Sequence, residues 1–165
     1  MYEGKKSESN FNIVVYHAWT RSAVFPRDDA EMGVSTQFTM KSQGEIEAAI
    51  CEGLRRFEQE YMGRGPKDIR AHLIDDLLVV RLEGVLTAAE QHLVKSLPAE
   101  KGRDLLKQVR THLIETARPL MEAMVQEVTG VKVMSLHHDI STVSGEEVIL
   151  FTLSGSPAFR EAKKK

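Results

Sequence analysis

The segment from about Gly102 to Val128 constrains the fold more than any other. Leu106, Val109, Leu113, Ala117, Leu120, Met124 and Val128 recur at spacings of three, four, four, three, four and four, which marks one face of a helix. Leu105, Ile114, Met121 and Val125 widen that face beyond what contact with a single sheet needs. The inference is a long helix packed on a sheet and on another helix, a second subunit being one source of that helix. Pro119 removes one backbone donor inside it, so a kink or a split into two helices is expected there. Thr129-Gly130 ends the segment.

The elements around it are short and locally paired. Ser42-Gln43-Gly44-Glu45 reads as a capping box, and Ile46, Ile50, Leu54, Phe57 and Tyr61 follow on one helical face, predicting a helix over 42–62. Gly63-Arg64-Gly65-Pro66 stops it, because glycine permits the left-handed terminal turn and proline cannot continue a helix. Asp68–Ile74 alternates apolar and polar residues like a half-buried strand, and Leu77–Glu83 is nearly continuous, like a central one. Asp75-Asp76 between them suits a tight hairpin, since aspartate tolerates turn geometry. Thr87-Ala88-Ala89-Glu90 is a second capping box, opening a short helix to about Ser96 that Pro98 breaks. Val131–Ile140 and Glu146–Leu153 read as two more strands joined by a Ser141–Gly145 loop. The order is helix, two strands, two helices, two strands. Strands arriving as hairpins predict an α+β fold: an antiparallel sheet with helices packed on one side.

This pattern occupies residues 42–154 and defines one core domain. Residues 1–41 lack a helical period and are read as an N-terminal extension, either partly disordered or adding a strand from Phe11 to Trp19. Residues 155–165 form a basic C-terminal tail ending in three lysines. The 22 Lys and Arg against 24 Asp and Glu leave a formal charge of −2, without the basic excess of a dedicated nucleic-acid binder. No run reaches the roughly 18 apolar residues of a membrane span. The single cysteine, Cys51, excludes an internal disulfide and a cysteine-rich zinc module, and is read as a small core or boundary residue. The expected setting is cytoplasmic.

Two groups of residues form the candidate functional surface. Gly63-Arg64-Gly65-Pro66-Lys67 looks like a phosphate-cradling loop, but its glycine spacing is not that of a nucleotide P-loop. It also follows a helix C-terminus, whose dipole repels anions. Arg64 and Lys67 are therefore read as complementing that helix end. His137-His138-Asp139 is the densest ligand cluster. On a strand, His137 and Asp139 share a face and could reach a metal together, with a third ligand from His72, His112 or Asp75. The competing reading is a solvated strand face with Asp139 capping the next turn. Arg103, Lys107 and Arg110 lie at helical spacing and are read as a solvated, ion-paired edge, with contact to anionic lipid or RNA as the weaker alternative.

Phe57–Lys67, Ile74-Asp75-Asp76, Val80–Glu90, Gly102-Arg103, Lys107–Arg110, Ala117–Leu120, Thr129–Val133 and Ser135–Thr142 together resemble the MpsC-like domain, over about residues 43–153. The resemblance implies association with a sodium-translocating, membrane-potential-generating system that supports inorganic-carbon supply. It carries no established catalytic residues. The expectation is a non-enzymatic accessory or regulatory protein that works through protein contacts, as a homodimer. It would stand peripheral to membrane transport proteins at the inner face of the membrane, without a cofactor. The alternative is a small-molecule- or metal-binding domain built on His137 and Asp139.

Overall fold

A computed structural model of the protein describes residues 40–160. The expectations for the extension, including the Phe11–Trp19 strand, and for the terminal lysines lie outside the described residues. The elements are α1 (Gln43–Tyr61), β1 (Asp68–Ile74), β2 (Leu77–Glu83), α2 (Ala88–Ser96), α3 (Ala99–Thr129), β3 (Val133–Ser141) and β4 (Glu146–Leu153). The strands form one antiparallel sheet in the order β1-β2-β4-β3. The α+β arrangement expected from the hairpin pattern is the one observed.

Both capping boxes form. Ser42 Oγ accepts from the Glu45 amide while the Glu45 carboxylate accepts from the Ser42 amide, and Thr87 and Glu90 repeat the exchange. At the β1–β2 turn Asp75 adopts φ 54°, the left-handed conformation that aspartate tolerates. β3 begins two residues later than the alternation suggests, because the Val131 amide donates to Thr129 Oγ1 and stays with the helix end.

Alternation splits the sheet into two faces. Ile69, Ala71, Leu73, Leu78, Val80, Leu82, Leu136, Ile140, Ile149, Phe151 and Leu153 are buried, and α1 and α3 pack over that side. The opposite face carries cross-strand rows of half-buried or exposed residues, one of which runs His72, Val79, Leu150, His137. The free edge of β1 is covered by α1. Gln43 donates to the Leu73 carbonyl, Glu47 accepts from the Leu73 amide, and the Cys51 sulfur lies 3.8 Å from the Ile69 carbonyl. Residues four apart on α1 thus run along the outward backbone groups of the edge strand. Burial raises the Cys51 thiol above its ordinary pKa.

The long helix runs unbroken through Pro119, whose ring sits on an exposed position. Its buried side differs from the expected stripe. Leu106, Arg110, Ile114, Ala117, Met121, Met124 and Val125 are buried, whereas Val109 is 43% exposed and Leu113 and Leu120 are half-buried. The core line passes through Arg110, so a charged residue expected on a solvated edge stands at an inward position of the apolar period. At Gly102 α2 crosses so close that a Cβ would stand 3.1 Å from the Val94 Cα, so glycine sets that approach.

Candidate functional site

Arg110 is the centre of the most concentrated chemistry among the described residues. Its side chain is fully buried, and each guanidinium nitrogen has a partner. Nε donates to Glu90 Oε1 at 3.1 Å, Nη1 to Glu147 Oε2 at 2.7 Å and Nη2 to the Val85 carbonyl at 3.1 Å. Glu58 Oε2, from α1, stands 3.6 Å from Nη1. His138 Nδ1, from β3, stands 3.7 Å from Glu147 Oε1. The node therefore draws one group from nearly every element that surrounds the core.

Each member arrives by regular periodicity. Glu58 continues the α1 line Ile46, Ile50, Leu54; Arg110 continues Leu106 on α3; Glu147 shares the inner face of β4 with Ile149, Phe151 and Leu153. Glu90 is the capping-box acid of α2, with one oxygen on Thr87 and the other on Arg110. Burial works against the charge on Glu90, but the Thr87 amide and the guanidinium outweigh it and hold its carboxyl below the usual range.

One guanidinium faces three carboxyl groups, and the pairing is incomplete. Both Glu58 oxygens, Glu147 Oε1 and His138 Nδ1 are buried without a hydrogen-bond partner. Burial first, and then the charge of Glu147, push the Glu58 carboxyl up to about 8, against the pull of Arg110. At neutral pH Glu58 therefore carries a proton, since an unpaired buried carboxylate would cost several kcal/mol. Burial also works against the charge on Arg110, but the surrounding carboxylates, Glu147 foremost, raise its pKa further. Glu58, Arg110 and Glu147 have no exposed surface, so a substrate does not meet them. The arrangement clamps helices to sheet and holds one carboxyl group of the node protonated.

The surface candidates fall in different places. His137 and Asp139 lie on the same exposed strand face, while His138 points inward to Glu147. Lys107 Nζ reaches both Asp139 oxygens, at 2.7 and 2.9 Å, and this bond is the main reason the Asp139 carboxyl lies below its ordinary pKa. His72 sits at the other end of the His137 row, three strand spacings or roughly 14 Å away, too far to share a metal with it. Among the described residues no three His, Cys, Asp or Glu side chains converge as a metal site. Arg64 does not complement the end of α1 as expected; its Nη1 donates to the Leu86 carbonyl at 2.9 Å. Lys67 turns the same way, its stem lying over Gly84. Arg110, expected on a solvated edge because of its charge, is instead buried, and the three acids around it are what balance that charge.

Comparison with known proteins adds the family. A family model described as "Na+-translocating membrane potential-generating system (MpsC)" matches residues 42–155. The uncharacterised protein YbcI of Bacillus subtilis (strain 168) is 34% identical over 113 residues, covering 68% of this chain and 89% of YbcI. The uncharacterised protein YrhF of the same organism is 29% identical over 100 residues, 59% of this chain and 79% of YrhF. No solved structure matches.

Proposed function

This chain belongs to the MpsC family, and we propose that it is a non-enzymatic accessory module of a membrane ion-translocating system, acting as a homodimer joined through α3. The link to a sodium-translocating system is drawn from the family description. Among the described residues no helix is long and apolar enough to cross a membrane, which suits a peripheral role.

The observation that carries the dimer is the outward side of α3. Leu105 and Val109 are 42% and 43% exposed, and Leu113 and Leu120 continue the line half-buried. Beside them Gln108, His112 and Thr116 are exposed and carry no formal charge, while the exposed charges Lys101, Asp104 and Glu115 flank the stripe. Depletion of charge around an apolar centre is what distinguishes the middle of a protein interface from ordinary surface. A single helix running over 31 residues can meet its own copy in antiparallel fashion, so the same stripe serves both protomers about a two-fold axis.

Native mass spectrometry at micromolar concentration tests this. The protein is expected as a dimer, and Leu105→Asp with Val109→Asp as a monomer of unchanged helical circular dichroism. A monomeric wild-type protein would overturn the proposal.

A further inference from the structure

The Thr142–Gly145 loop between β3 and β4 borders two surface cavities, one with balanced charges and one lined by cations alone. One, of about 380 Å³, sets Arg103 and Lys107 against Asp139 and Glu146, two cations with two acids. The other, of about 280 Å³, is lined by Arg64, Lys67 and Lys95 with the polar side chains of Gln91, Thr142 and Ser144, and no carboxylate borders it. None of its three cations forms an ion pair among the described residues.

The α1–β1 connection brings Arg64 and Lys67 to Lys95 of α2, and two of the three cations are held in place. Arg64 is anchored by its bond to the Leu86 carbonyl, which leaves the rest of the guanidinium fork free. Lys67 donates its amide to the Glu83 carbonyl at 2.8 Å. Its side chain crosses Gly84 so closely that a Cβ there would stand 2.7 Å from Lys67 Cδ, and Gly84 has φ 66°. Lys95 comes from the last turn of α2. Like charges gathered beside a low-dielectric wall repel one another, and an anion seated among them relieves that repulsion.

We propose that this cavity binds a phosphate group. Three cations around two hydroxyls match a multiply charged tetrahedral anion, with the arginine fork supplying paired donors and the lysines point charges. The volume lies just below the roughly 300–1,000 Å³ of small-molecule sites, which fits a phosphate with a small substituent better than a nucleotide. Such a group comes from a soluble phosphoester or from a lipid headgroup. Val143 at the loop tip, 97% exposed beside the cavity, would enter the acyl layer in the second case.

The full chain is titrated with inorganic phosphate against chloride at matched ionic strength, following the melting temperature. In parallel it is sedimented with phosphatidylcholine vesicles with and without phosphatidic acid. A saturable rise in melting temperature, lost in Lys67→Gln with Lys95→Gln and retained in Arg103→Gln with Lys107→Gln, supports a soluble phosphate ligand. Sedimentation that needs phosphatidic acid, and is lost in the same Lys67/Lys95 variant and in Val143→Asp, supports a headgroup. Neither response, or responses equal in both double variants, overturns the proposal.

Discussion

Lys107 and Arg110 stand one turn apart on α3, and each pairs with a carboxylate from the sheet, yet the two pairs do different things. The Lys107–Asp139 pair lies at the rim, its side chains 38% and 73% exposed, where water solvates either partner alone. The Arg110–Glu147 pair lies in the core, where only the other charged groups of the node can do so. The chemistry of the pairs is alike; the difference is desolvation. A rim pair is a minor contributor, whereas a buried one binds the packing of five elements to a fixed charge balance.

The largest effect should come from Arg110→Ala, which leaves the Glu147 carboxylate buried without its cation. Urea denaturation should show a loss of about 3–5 kcal/mol. The comparison is sharpened by removing the whole node. Arg110→Met with Glu58→Leu and Glu147→Leu should recover most of that loss or exceed wild type, because an apolar core of similar volume carries no desolvation penalty. If the triple variant is as unstable as Arg110→Ala, packing rather than charge explains the site.

An intermediate effect should follow pH. The Glu58 carboxyl is raised from 4.5 to about 8 in the folded protein. Between those values the folded state holds a proton that the unfolded state has released, so wild-type stability should fall as pH rises, by up to about 1.4 kcal/mol per pH unit. Its contribution is complete below 4.5 and gone above 8. Glu58→Gln should match wild type near pH 5, flatten this fall, and be the more stable protein at pH 9. Parallel profiles for the two proteins would contradict the assignment.

The smallest effect belongs to the rim. Lys107→Ala should cost less than about 1 kcal/mol, shrinking further in high salt. A loss comparable to that of Arg110→Ala would erase the distinction between the two pairs.

The same contrast explains what could be read from the sequence. Capping boxes, strand alternation and the helix-stopping Gly63–Pro66 are local signals, and they locate the elements within a residue or two. The buried node is not local. Glu58, Arg110 and Glu147 each occupy an inward position of an apolar period, on three different elements, and each alone looks like an interruption of the pattern. A charged residue where the period calls for an apolar one, found with both signs in one chain, was the available signal. The cation-lined cavity was hidden for another reason. The dipole at the end of α1 does disfavour anions, but Arg64 and Lys67 leave that helix end for a space bordered by α2 and the β3–β4 loop. Which side chains meet there depends on tertiary contact, which spacing does not carry.

The claim that unites the core account is that one carboxyl group of the node is neutral at physiological pH. A carboxyl-carbon NMR titration of Glu58, assigned by its loss in Glu58→Gln, addresses it directly. The account expects an inflection near 8 in the folded protein. An inflection near 4.5 would mean that the buried charge is balanced in some other way, and would contradict it.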